Sequence, residues 1–284
     1  MINVENLFYS YTNDERYAVE GISFQINEGE IFGFLGPNGA GKSTTQKILT
    51  GLLPVQKGKV VVSGEDIRKV SGSFYNMIGV SFEQPNVYMK LTGYENLKFF
   101  ASMFDVPTED PYELLRLVGL EEAAHDKTKT YSKGMLQRLV FARSLINRPK
   151  IWFLDEPVSG LDPATASQIK ELIKHKKEEG VTIFLTTHNM HVAEELCDRV
   201  AFINAGKIVL IDTPRNLKLR YGKKLVEVEY RSDGKIEREL LSMTEADDIE
   251  RINKLISSGK METIHSMEAS LEDIFIKVTG RGLV

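Results

Sequence analysis

The 284-residue sequence holds a single cysteine, Cys197. No disulfide can close within the chain, which agrees with a reducing compartment. No apolar run approaches the roughly 18 residues that a membrane-spanning helix needs. Work at a membrane would therefore require another chain to cross it. The segment from Met1 to Tyr11 has no basic leader followed by an apolar core, so a secretory signal is not expected. Neither sign of charge dominates, since 36 Lys and Arg face 40 Asp and Glu. That balance does not mark a bulk nucleic-acid binder, and no nucleic-acid partner is expected. Internal repeats and low-complexity linkers are missing too, so a single large domain is expected and not a fused pair. What remains is an ordinary globular composition, 42% hydrophobic and 27% charged, long enough for one large domain with a small appendix.

Strand and helix signals alternate through the first two thirds. Residues 2–11 read as a strand running into a loop, and 21–26 alternate as a second strand. The short apolar run 31–35 is expected of a strand buried on both faces. A helix is expected over about 42–50, with further strands at 60–63 and 78–82. From 91 to about 147 the texture is helical: Thr92 with Glu95 three residues on is a capping box, and 95–104, 112–118 and 133–146 carry apolar residues at helical spacing. Strands return at 151–154 and 181–186 around a helix near 164–178. This alternation predicts a mostly parallel α/β core with a helical insert. Beyond about 219, two alternating runs, 225–231 and 235–240, flank Ser232-Asp233-Gly234 and read as a hairpin. A helix (246–257), a strand (263–267) and a last helix (271–278) complete the appendix.

Between the buried strand 31–35 and the helix that follows lies Gly36-Pro37-Asn38-Gly39-Ala40-Gly41-Lys42-Ser43. It fits G-x-x-x-x-G-K-[ST] in the strand–loop–helix setting that the phosphate-binding loop requires. Glycines let the backbone wrap phosphate, and the helix N-terminus adds positive partial charge. Lys42 would neutralise the β- and γ-phosphates, the Ser43 hydroxyl would hold Mg²⁺, and Thr44 continues the site. A second acidic site follows the apolar strand 151–154. Asp155 is placed to hold Mg²⁺ through water, and Glu156 to face the attacking water as general base. The competing reading is that the two acids only cap the next helix.

With these residues in place the sequence resembles the ATP-binding subunits of ABC transporters over about residues 1–218. Tyr131-Ser132-Lys133-Gly134-Met135-Leu136-Gln137 looks like the family's signature segment, usually Leu-Ser-Gly-Gly-Gln. Tyr131, Lys133 and Met135 depart from it, while Ser132 and Gly134 remain. Taken alone, the segment is an ordinary capped helix start with an anion site at its N-terminus. In the family it contacts ATP held by the other subunit, so the resemblance implies a homodimer or heterodimer sandwiching two nucleotides. Gln84 resembles the glutamine of the family's glutamine loop, which reaches Mg²⁺ or water and senses the membrane partner; the plainer reading is a surface Gln beside Pro85. Ser159-Gly160-Leu161-Asp162 resembles the segment that crosses the dimer interface, with Asp162 its key residue and a plain turn and N-cap as the alternative. His188 resembles the switch histidine on the γ-phosphate, with His191 as competitor. Tyr11 resembles the aromatic that stacks on adenine, with Tyr9 and Tyr17 as rivals.

The resemblance implies an α/β P-loop NTPase fold of the ABC ATPase kind: a mostly parallel sheet, an N-terminal antiparallel β subdomain, a helical subdomain at about 86–148, and a small α/β domain at 219–284. It implies ATP and Mg²⁺ as cofactors, ATP hydrolysis as the activity, a transmembrane permease as partner, and a peripheral place at the cytoplasmic face of the membrane. The tail Ser270-Leu271-Glu272-Asp273-Ile274-Phe275-Ile276-Lys277 resembles a bacterial and archaeal group whose single ATPase subunits serve separate permeases, often exporters of drugs, antibiotics, lipids or sodium. Two other classes compete, a soluble ABC ATPase acting on ribosomes or DNA and an ATP sensor without turnover. One phosphate loop, no long heptad stretch, and intact Lys42, Asp155, Glu156 and His188 disfavour both.

Overall fold

The computed structural model describes residues 1–12, 16–222, 224–232 and 234–280. In chain order these form β1 (Ile2–Tyr9), β2 (Val19–Ile26), β3 (Ile31–Leu35), α1 (Lys42–Leu49), β4 (Lys57–Val62), β5 (Glu65–Asp66), α2 (Gly72–Met77), β6 (Ile78–Ser81), α3 (Gly93–Ala101), α4 (Pro111–Leu117), α5 (Lys133–Arg143), β7 (Ile151–Asp155), α6 (Pro163–Glu178), β8 (Thr182–Thr187), α7 (Met190–Leu196), β9 (Arg199–Asn204), β10 (Lys207–Asp212), α8 (Pro214–Tyr221), β11 (Leu225–Ser232), β12 (Lys235–Ser242), α9 (Ala246–Ser257), β13 (Met261–Met267) and α10 (Leu271–Thr279). Two compact units meet in sequence at Thr213 and Pro214. The boundary expected at 218/219 falls inside α8, which belongs to the second unit.

The first unit is built on a six-stranded sheet ordered β10-β9-β3-β8-β7-β6. All its pairings are parallel except that of β10 with β9. Every residue of β3, β7 and β8 is buried, as continuous apolar runs in a covered parallel sheet require. A second, antiparallel sheet, β2-β1-β4-β5, packs against the first. Phenylalanines form the seam: the Phe24 ring stacks on Phe32 at 5.5 Å and lies 5.5 Å from Phe34. Such ring pairs add about 0.5–1.5 kcal/mol each beyond the area they bury.

The helical segment carries α3, α4 and α5. The α3 helix starts in the expected capping box, Thr92 accepting from Glu95 N while the Glu95 side chain accepts from Thr92 N. The α5 helix is tied to the sheet where buried Trp152 lies 4.9 Å from Phe141 and donates its indole N–H to Ser144 at 2.8 Å. Strands β9 and β10 and helices α2, α7 and α8 have no counterpart in the sequence reading. No described helix is long and apolar enough to cross a membrane.

In the second unit the sheet is β12-β11-β13, antiparallel throughout. Val226, Val228 and Tyr230 bury one face of β11 together with Leu241 and with Leu255 of α9. Ser232 pairs with Lys235 across the expected hairpin, whose Asp233 lies outside the described residues.

Candidate nucleotide site

Register decides what meets at the sheet's C-terminal edge. Leu35 pairs with Thr187, Asp155 with Thr186, and Ser81 with Leu154. The residues just past these positions, namely the glycine loop, Glu156, His188 and the Phe82–Pro85 loop, therefore emerge side by side where α/β sheets bind ligands.

The loop leaving β3 is shaped by its glycines. A Cβ on Gly36 would meet Ile203 O at 2.1 Å, and one on Gly41, at φ 108°, would meet Ala18 O at 2.4 Å. Gly39, at φ 78°, has nothing within 4 Å of the same point, so its backbone faces open space. Lys42 is buried, and its ammonium donates to Gly36 O at 2.7 Å and Pro37 O at 3.1 Å. Burial lowers the Lys42 pKa against the opposing pull of Glu156, Asp155 and Glu83. The loop flanks a cavity of about 310 Å³ lined by Tyr11, Ala18, Asn38, Gly39, Gly41, Lys42, Ser43, Thr44, Glu83, Asp155 and Glu156. A larger hollow of about 1000 Å³, bounded by Met1, Glu109, Arg148 and Lys150, contains none of the candidate residues.

Asp155 and Glu156 are both buried in this wall. Asp155 accepts from the Thr186 hydroxyl. Burial raises its pKa, while hydrogen bonds from Thr186 and Ser43 oppose the rise. Glu156 adopts φ 49°, left-handed for a residue with a side chain. Its carboxylate accepts from Thr187 Oγ1 at 2.8 Å, from His188 N at 2.8 Å and from His188 Nδ1 at 2.6 Å. That leaves His188 Nε2 as the free ring nitrogen. His191 is exposed in the first turn of α7.

Among the three tyrosines, Tyr11 alone lines the cavity. It is 60% exposed and its hydroxyl lies 3.1 Å from Thr44 Oγ1. Tyr9 is buried in the core beside it, and Tyr17 packs edge-on against Phe8.

Other candidates lie outside this wall. Ser132 caps α5, accepting from Met135 N at 3.2 Å, with Gly134 in the first turn. Asp162 caps α6, accepting from Thr165 N at 3.0 Å, and that hydrogen bonding holds its carboxyl below the usual range. Glu83 and Gln84 are both exposed, and of the two only Glu83 lines the cavity. Resemblance points to the amide and not to Glu83, and a loop has no period to show which neighbour faces inward.

The cradle suits phosphate: open backbone at Gly39, a lysine behind it, and a helix N-terminus below. A hydroxyl and carboxylates at its far side are hard oxygen donors, which suit Mg²⁺.

The sequence model of the family described as ABC transporter matches residues 19–159. Over 284 residues the chain is 51% identical to a fluoroquinolones export ATP-binding protein of Mycobacterium tuberculosis, covering 100% of this chain and 94% of that one. The chain belongs to the ABC transporter ATP-binding proteins. A linearmycin resistance ATP-binding protein of Bacillus subtilis is 38% identical over 226 residues, 78% of this chain and 72% of that one. Among solved structures, a dimeric ATP-binding cassette in a post-hydrolysis state with ADP and Pi superposes with a TM-score of 0.69 at 28% identity, covering 75% of this chain and 98% of that chain. An ATP-binding subunit of an ABC transporter gives a TM-score of 0.71 at 28% identity, over 78% and 93%. This ABC subunit is thus an ATP-binding ATPase with the α/β fold of its family.

Proposed function

We propose that this ABC ATPase is the motor of an exporter whose membrane-crossing part is a separate permease, and that it works peripherally at the cytoplasmic face. The observation that carries the reading is the convergence of Lys42, Ser43, Asp155 and Glu156 on one cavity at the sheet edge. ATP lies with its base on Tyr11 and its phosphates over Gly36–Thr44. Lys42 turns from the loop carbonyls to the β- and γ-phosphates. Ser43 and Asp155 would hold Mg²⁺, which when bound neutralises phosphate charge. Glu156 orients and deprotonates the attacking water, and His188, anchored through Nδ1, offers its other nitrogen toward the γ-phosphate.

Ser132, Gly134 and Asp162 serve a second nucleotide-bound subunit, an identical copy or a related one. Closure of the pair over two nucleotides, followed by hydrolysis and reopening, moves the permease, whose coupling segment sits near the Phe82–Pro85 loop and the helical segment. Export is favoured over import by relatives named for fluoroquinolones export and linearmycin resistance.

The test pairs hydrolysis with transport. Cells carrying the chain and its permease should lose efflux of a fluorescent fluoroquinolone when Glu156 becomes Gln. The isolated Glu156→Gln protein should bind ATP but turn it over about 10²–10⁴-fold more slowly, the usual contribution of a general base. A Glu156→Gln protein that still hydrolyses at the wild-type rate would remove Glu156 from the mechanism, and efflux unaffected by the substitution would remove the export reading.

A further inference from the structure

Past β6 the chain runs Phe82-Glu83-Gln84-Pro85, and successive side chains of a non-helical loop point different ways. The neighbour that faces the cavity is Glu83, in one wall with Lys42, Ser43, Asp155 and Glu156. Its charge is felt there, since Glu83 follows Glu156 and Asp155 among the carboxylates that favour the charged form of Lys42. Its carboxylate has no hydrogen bond or ion pair with any other described residue. Three carboxyl groups thus stand against one lysine before any phosphate arrives. Like charges gathered this way are unfavourable unless a cation answers them.

We infer that Glu83 supplies a carboxylate to the divalent cation that accompanies ATP, in the role that family resemblance assigns to the Gln84 amide. The inference rests on reading the cavity as the Mg-ATP site. The acids do not form a closed cage: no group of three or more His, Cys, Asp or Glu among the described residues converges as a metal site. Phosphate oxygens and water complete the shell, as is usual for Mg²⁺.

A carboxylate at this place acts with two signs. With the metal present it tightens the nucleotide complex. Without the metal it repels the phosphates. Removing its charge while keeping its shape should therefore weaken metal binding and strengthen metal-free nucleotide binding. A merely structural residue would weaken both.

The experiment uses the full chain and Mn²⁺ as a spectroscopic probe in place of Mg²⁺. Electron paramagnetic resonance follows Mn²⁺ retention with a non-hydrolysable ATP analogue, and a fluorescent ATP analogue in EDTA gives the metal-free affinity. Glu83→Gln should raise the Mn²⁺ dissociation constant about tenfold, the lower end of what loss of a metal-supporting group does, and should tighten metal-free nucleotide binding. Gln84→Ala should change neither. The inference is overturned if Glu83→Gln leaves Mn²⁺ retention unchanged, weakens both affinities together, or is matched by Gln84→Ala. Asp155→Asn is the control for the site itself. If it weakens Mn²⁺ and Glu83→Gln does not, the Glu83 assignment alone fails. If neither does, the Mg-ATP reading of the cavity fails with it.

Discussion

Gly39 and Gly41 both have positive φ, yet they are glycines for different reasons. At Gly41 a methyl group would sit 2.4 Å from Ala18 O, so the chain's own packing forbids a side chain. At Gly39 a methyl group would meet nothing within 4 Å, and the open space it would enter is where the proposed site puts phosphate. Gly41→Ala should lower stability by about 2–4 kcal/mol, combining left-handed strain with a backbone clash. Gly39→Ala carries the strain alone, about 1 kcal/mol, but should weaken ATP binding more than it weakens folding. Urea midpoints and ATP titrations on the two variants check this, and a Gly39→Ala protein with wild-type ATP affinity would separate Gly39 from the phosphates. Much of this residue-scale detail was legible beforehand, because the loop's spacing and its setting specify backbone geometry directly. Glu83 was not. Which of two adjacent loop residues turns inward depends on the tertiary path of the loop, and neither composition nor periodicity encodes that path. Tyr11 lies between the two cases: the sequence offers three tyrosines, and of these only Tyr11 lines the cavity, while Tyr9 is buried in the core and Tyr17 packs edge-on against Phe8.

The α5 helix runs from a residue of the proposed subunit interface to the loop beside the cavity. Ser132 caps its start, and Arg143 ends it. The guanidinium of Arg143 is buried over the Phe100 ring, 4.3 Å from the centroid, and donates to Asn86 O at 2.6 Å and to Asn86 Oδ1. No described carboxylate pairs with it, and burial pushes its pKa down to about 10 against an opposing pull from Tyr88. Asn86 lies three residues past Glu83, so Arg143 fixes the loop that carries Glu83 to the cavity. Arg143→Ala should cost about 2 kcal/mol, from two hydrogen bonds and the ring contact less the relief of desolvating a cation. Arg143→Lys should recover less than half of that, because one ammonium cannot span carbonyl and amide together. Urea denaturation reads both, and an Arg143→Ala midpoint equal to wild type would show that the loop holds without the clamp. At this scale the helices whose caps are local, such as α3 and α5, are legible in the sequence. Strands β9 and β10 are not. The buried Val200–Ile203 stretch of β9 is a short apolar run, which periodicity alone cannot assign.

At the scale of the whole chain, the first unit holds one cavity with Lys42 and Glu156 in its wall, while Ser132, Gly134 and Asp162 line no part of it. The proposed pairing of subunits gives these residues a nucleotide to contact. Their local surroundings agree. A Cβ on Gly134 would touch only Leu161 Cδ2, at 3.7 Å, which is ordinary contact, so the chain's own fold does not demand glycine there. An acidic side chain in the first turn of α5 would even favour the helix. Gly134→Asp should therefore leave the thermal midpoint nearly unchanged while placing a negative charge where the partner's phosphates would come. The measurement is light scattering after size exclusion in a Glu156→Gln background, where blocked hydrolysis holds the closed state. With Mg-ATP the Glu156→Gln chain should pass from monomer to dimer. The Glu156→Gln, Gly134→Asp chain should bind ATP as tightly in its own cavity yet remain a monomer. A double variant that still dimerises would remove the segment at Ser132 and Gly134 from the interface. A Glu156→Gln chain that stays monomeric despite bound ATP would place the drive for closure outside this subunit, with the permease it is proposed to serve.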